Sequence, residues 1–143
     1  MRIINAFVQT MEGDEAYPEG YVEFENGKIT AVGPMAAIAP RADDFDAEGG
    51  FLMPGIVEAH CQMGLSPEGS VFEQSDTDEA TDTVSPHLCA LDGIYPADPA
   101  IGKALCAGIT TAVISPGSAN VFGGRIVAVK TMGDCADEMV FEP

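Results

Sequence analysis

Two histidines, four cysteines and a dense set of carboxylates are the residues of this chain that could carry chemistry. His60 stands near the end of the stretch MPGIVEAHCQMG (53–64), and Gln62 follows two residues on. Residues i and i+2 of a strand share a face, so H-x-H at a strand end converges two imidazoles on one ion. Zn2+ favours nitrogen and thiolate donors. Gln62 offers a neutral carbonyl oxygen instead, a weak zinc ligand, and reads first as a hydrogen-bonding polar residue. Three readings of His60 stand: a ligand of a site completed by later residues, the remnant of a site that has lost its metal, or an ordinary packed histidine. Alternation turns Cys61 away from the His60 side, which suits a core role.

The other candidates lie in loops. His87, in VSPHLCALDGI (84–94), reads as a surface histidine or a substrate contact. The carboxylates Asp76, Asp78, Glu79 and Asp82 form a charge run of the kind that is usually solvated. SPGSANVFGG (115–124) matches neither a P-loop nor a dinucleotide fingerprint. It reads as a strand-end turn, or as a substrate-side loop in which Ser118 or Asn120 lines a pocket. Lys130 reads as a surface or sandwich residue. No catalytic acid or base can be assigned.

These residues need elements to hold them. YVEFENGKITAV (21–32) alternates Val22 and Phe24 with Glu23 and Glu25, the period of a strand with one wet face. Asn26-Gly27 supplies the two positive-φ residues of a tight hairpin turn, and the return strand runs from Lys28 to Val32. RIINAFVQT (2–10) is a further strand, DDFDAEGGFLM (43–53) holds two short extended pieces, and GPMAAIAPRAD (33–43) is linker. After Pro54 the pattern changes. GIVEAHC (55–61) reads as a strand covered on both faces. DPAIGKALCAG (98–108) reads as a helix with Asp98 as cap, Pro99 in the first turn and Gly108 as stop. ITTAVIS (109–115) is a second buried strand, and RIVAVKT (125–131) and EMVF (138–141) are further strands. Strand, long loop, helix, strand is the order of a parallel β–α–β unit. The excursion from about 62 to 97 is long enough to require a function.

Composition narrows the classes. The chain has 143 residues, 46% hydrophobic, with mean hydropathy +0.12, enough for a folded core. Its net charge of −17 repels nucleic acid and anionic membrane, which excludes both as main partners. The acidity itself reads as a solubilising surface or as adaptation to a salty cytoplasm. The cysteines, Cys61, Cys89, Cys106 and Cys135, form no C-x-x-C pair. MRIINAFVQT lacks an apolar stretch long enough for a signal peptide. A cytoplasmic protein with reduced thiols is the reading.

Taken together, NGKITAVG, DAEGGFLMPGIVEAH, GITTAVISPGSANVFGG and VAVKT resemble the amino-terminal part of an amidohydrolase-superfamily enzyme, most similar to the imidazolonepropionase-like branch. The likeness runs from about Ile3 to Pro143. It implies an α/β fold with a β-rich beginning: part of a small β-sandwich over 1–54, then the first strands of a (β/α)8 TIM-like barrel over 55–143. A whole barrel takes about 250 residues, so the barrel is incomplete and DEMVFEP is no natural stop. The resemblance implies a divalent metal, zinc first, held by H-x-H at the end of the first barrel strand. His60 matches the first histidine and Gln62 replaces the second. It implies metal-activated water attacking a non-peptide C–N bond of a small-molecule substrate such as a cyclic amide or amidine. The competing class is a non-catalytic fragment or metal-free homologue acting as a structural or assembly module. The expected partner is the missing carboxy-terminal barrel or a second copy. Tight metal binding by these residues alone is not expected, and Val57, Val113 and Ile114 are expected to be partly exposed.

Overall fold

The computed structural model describes residues 1–69 and 71–141; Ser70, Glu142 and Pro143, which fall in stretches read above, lie outside the described residues. The chain divides into two compact units, Met1–Pro54 and Gly55–Pro143.

The first unit is a sheet. β1 (Arg2–Gln9), β2 (Ala16–Glu25) and β3 (Lys28–Pro34) form the order β3-β2-β1, and β1 also takes β4 (Phe45–Asp46) and β5 (Phe51–Leu52) as parallel neighbours. Asn26 and Gly27 both have positive φ, 51° and 74°, so the hairpin turn forms as its sequence dictates. β1 shows the cleanest alternation: Ile4, Ala6 and Val8 are buried. β2 does not, because Val22, Glu23 and Phe24 are all half-buried. It also begins five residues earlier than the alternation suggested. Pro18 is tolerated there because the register slips between the Val8–Tyr17 and Ala6–Gly20 pairs, and β3 joins only at Gly20.

Arg2 is buried on the same face of β1. Its guanidinium donates to both carboxylate oxygens of Asp44 at 2.9 and 2.6 Å and to the Ala39 carbonyl at 2.8 Å. The two side chains are 4% and 3% exposed. The Arg2 hydrogen bond holds the Asp44 carboxyl below the usual carboxylate range, against desolvation, with help from the Arg41 N–H. A depressed folded pKa stabilises above the unfolded value, about 3.9, and that contribution is lost as pH falls through the folded value. Stability of the first unit should therefore drop below about pH 4. In Asp44→Asn that component of the slope should vanish; an identical acid profile in the two proteins would contradict the assignment.

The second unit holds a three-stranded sheet, β6 (Ile56–Cys61), β7 (Ile109–Ile114) and β8 (Val127–Lys130), in that order. β6 and β7 are parallel, and β7 and β8 antiparallel. Three α-helices accompany it among the described residues: α1 (Ala90–Gly93), α2 (Pro99–Cys106) and α3 (Ala136–Met139). α2 lies between β6 and β7 in the chain, as the β–α–β order requires. Its boundaries follow the sequence signals: Asp98 accepts from the Ala100 N–H at 3.0 Å, Pro99 opens the helix, and Gly108 lies at φ 89° just beyond it. One core joins Leu65, Ala90, Ile94, Ile101, Ala112, Ile114, Val129 and Met139, with Cys61 packed against it. Among the described residues no helix is long and apolar enough to cross a membrane.

Three expectations are corrected. EMVF is not a strand: α3 takes Ala136–Met139, with Asp137 and Glu138 in its first turn where the helix dipole favours carboxylates, and Met139 seated in the core. Only Val140 makes a bridge, to Val129. β6 is not covered on both faces, since Ile56 is 46% and Val57 60% exposed. Ile114, by contrast, is buried at 1%, because α-helical residues and Leu65 close over that face of β7. Of the two readings of Lys130 the surface one holds: it is exposed at the end of β8, donating to Thr111 Oγ1 at 3.0 Å and lying 4.2 Å over the Phe141 ring.

Candidate metal centre

Gly55 begins the strand that carries His60. A Cβ there would overlap the Thr110 side chain of β7, so glycine lets the two parallel strands start side by side. The Ile56 N–H donates to the Gly108 carbonyl at 2.9 Å, and the Ser115 N–H to the Cys61 carbonyl at 2.9 Å, so the ladder extends past both strand ends. Within it the register slips: Glu58 pairs with Ala112, but Cys61 pairs with Ile114. Three residues of β6 thus span two of β7, and His60 falls inside the irregularity. Such an insertion breaks strict alternation and re-aims side chains.

His60 is exposed at the end of β6, its N–H donating to Glu58 Oε1 at 3.1 Å. Gln62 is also exposed, one residue beyond the strand, and its carbonyl accepts from the Leu65 N–H at 3.0 Å as the chain turns. The i, i+2 rule therefore does not fix Gln62 beside His60: strand geometry stops at Cys61. Among the described residues no group of three His, Cys, Asp or Glu side chains is placed to hold an ion. Structural zinc sites use four protein ligands and catalytic ones three. The donors of these residues do not by themselves fit a zinc site.

The remaining candidates gather elsewhere in this unit. Segment 77–90 of the excursion after β6 runs alongside loop 116–125 after β7, bridged at Val84–Phe122 and Cys89–Arg125. Asn120 lies at the centre. Its Nδ2 donates to the Glu79 and Asp82 carbonyls at 2.8 and 2.7 Å, and its Oδ1 accepts from the Glu79 N–H at 3.3 Å. The amide is thus engaged with the chain itself. Ser118 and His87 are exposed. Asp76, Asp78 and Asp82 are exposed, as the charge run suggested, and two of them also bond the backbone: Asp78 accepts from the Ala119 N–H of the other loop at 3.0 Å and Asp82 from the Val84 N–H at 3.0 Å. Thr81 donates through its hydroxyl and N–H at 2.6 and 2.7 Å, holding the Glu79 carboxyl below its usual range, with a lesser contribution from the charge of His87.

A cleft of about 290 Å³ opens beside these loops, walled by Leu65, Asp76, Asp78, Glu79, Asp92 and Asn120 among others. His60, Gln62, His87 and Ser118 do not line it. Of the candidates read from the sequence, Asn120 does, together with Asp76, Asp78 and Glu79 of the charge run. Two features escaped the sequence reading. One is this seam, whose signal is the Asp/Thr spacing of DTDEATDT, the composition of side-chain-to-backbone turns. The other is the reach of Asp98, which is 3% exposed and also accepts from the N–H groups of Gly64 and Glu68, both at 3.1 Å.

No family model matches the chain. Over 114 residues, 78% of this chain, it is 39% identical to the amidohydrolase tasK of Hapsidospora irregularis, covering 12% of that protein. Among solved structures, an amidohydrolase from Thermotoga maritima matches 99% of this chain with 40% identity and a TM-score of 0.90. The chain corresponds to part of an amidohydrolase. A further likeness is narrower: the 5'-deoxyadenosine deaminase of Methanococcoides burtonii is 37% identical over 65 residues, 45% of this chain and 15% of that protein. The chain spans 36% of the Thermotoga structure's chain, so what it matches is part of each relative. The β-rich architecture with few helices agrees with that correspondence.

Proposed function

We propose that these residues are the amino-terminal part of a metal-dependent amidohydrolase that hydrolyses non-peptide C–N bonds of a small, cyclic amide- or amidine-type substrate. The observation that carries the reading is His60 at the end of β6, the first strand of a parallel β–α–β unit, in a chain 40% identical to a solved amidohydrolase over 99% of its length. In this reading Met1–Pro54 is part of a small β-sandwich, Gly55–Pro143 begins a (β/α)8 barrel, and β6 and β7 are barrel strands. The exposed Ile56 and Val57 of β6 suit a strand awaiting a neighbour, either the rest of the barrel or a second copy. The barrel's active end is the carboxy-terminal end of its strands, where His60 stands. His60 would contribute one imidazole to a divalent ion, zinc first, with Gln62 at the substituted second position and further ligands from outside these residues. A bound ion supplies Lewis acidity and an activated water; residues 1–143 alone carry no step of that chemistry. The Methanococcoides relative, a deaminase by name, supports hydrolysis at a C–N bond. The protein would act in the cytoplasm on a small molecule, without nucleic acid or membrane.

Gln62 favours a second reading, a metal-free module that only folds or assembles. Zinc binding by His60→Ala and Gln62→His variants separates the two: in the first reading the added imidazole works together with His60, and in the second neither substitution matters.

A further inference from the structure

We propose that Asn120 latches segment 77–85 to loop 116–125, so that the seam between them opens and closes in one step as a gate over the cleft. The Asn120 amide does what a backbone partner would do, bonding both the N–H and the carbonyl of Glu79 and then the carbonyl of Asp82. On either side the seam continues. The Gly117 N–H donates to the Thr77 carbonyl at 2.6 Å, those of Val121 and Phe122 to the Thr83 carbonyl at 3.0 and 3.2 Å, and that of Ser85 to the Phe122 carbonyl at 2.7 Å. A Cβ at Gly117 would overlap the Asp78 carboxylate, which would have to turn aside from its bond to the Ala119 N–H. What the seam lacks is apolar cover: Val84, Val121 and Phe122 are 46%, 73% and 65% exposed. A segment held by hydrogen bonds with little burial opens far below the cost of global unfolding. Both sides of the seam wall the cleft, Thr77, Asp78 and Glu79 from one and Pro116, Asn120 and Gly124 from the other. Parting them widens it, and the latch sets how often they part. The gate stands on these contacts and is independent of the metal reading.

Amide hydrogen exchange by NMR on the 143-residue chain tests it. In the wild type, the N–H groups of Glu79, Ser85, Gly117, Val121 and Phe122 should share one opening free energy, lower than that of Ala112 in β7. In Asn120→Ala all five should exchange faster together, by about tenfold or more, with Ala112 unchanged. Acceleration at Glu79 alone would overturn the coupling, and equal acceleration at Ala112 would make Asn120 a general structural residue. If that variant does not fold, Asn120→Asp removes the Nδ2 donors at constant shape and carries the same expectation. The wild type at low urea decides in any case: a common slope for the five amides supports one gate, and scattered slopes overturn it.

Discussion

Asp98→Ala should lower the stability of the Gly55–Pro143 unit by about 3 kcal/mol, summing a lost helix cap with charge-assisted bonds to two loop amides. Asp98 is buried, and its two oxygens accept from the N–H groups of Ala100, Gly64 and Glu68. Alanine leaves all three donors to find new partners. A cap serving the helix alone costs only about 1 kcal/mol, so the size of the effect tells whether Asp98 also pins the turn after β6. Asp98→Asn should fall between, because an amide has one accepting oxygen where three donors converge. Urea denaturation followed by circular dichroism measures it. A loss near 1 kcal/mol for alanine would mean that the Gly64 and Glu68 bonds contribute nothing.

Ile114→Ala should cost about 3 kcal/mol and Ile114→Val about 1 kcal/mol, the usual sums of lost transfer energy and residual cavity. Ile114 is 1% exposed and shares its core with Leu65, Val129 and Met139. The comparison is Val57, on the neighbouring strand and 60% exposed. Val57→Ala should change stability by less than about 0.5 kcal/mol, as surface substitutions do. Equal costs at the two positions, from the same denaturation curves, would contradict the unequal cover of β6 and β7.

The contrast between those two strands also shows where sequence pattern runs out. GIVEAHC and ITTAVIS both read as apolar runs without alternation, and pattern alone assigned both to a doubly covered sheet. α2, legible from its cap signals, packs on β7, but the other helices that contribute to this core, Ala90–Gly93 and Ala136–Met139, are four residues each. Such short helices leave no periodicity to read. EMVF looked like a strand for the same reason, and Met139 entering the core settled the local choice against it. By contrast, signals with a local mechanism were legible: positive φ at Asn26-Gly27, the Asp98-Pro99 helix start and the Gly108 stop each depend on their own residues alone.

At the candidate site the legible part was smaller. The place of His60 at the end of a strand could be read from PGIVEAHC. Its relation to Gln62 could not, because the register slip between Glu58 and Cys61 depends on what β7 offers as partner. Nor could the engagement of Asn120 be read, since its partners Glu79 and Asp82 lie about forty residues away in the chain and pair with it only once the two loops are brought together.

The central claim is that His60 is one ligand of a metal site that these residues leave incomplete. Equilibrium dialysis against zinc near neutral pH, on the 143-residue chain and on its His60→Ala, Gln62→His and doubly substituted forms, tests it most directly. The wild-type chain should bind more weakly than about 1 μM, as one imidazole must. Gln62→His should tighten binding by about tenfold or more, and His60→Ala should abolish that gain in the double variant. A one-to-one wild-type complex of sub-micromolar affinity lost in His60→Ala, or a folded Gln62→His chain that binds no better than the wild type, would contradict the account.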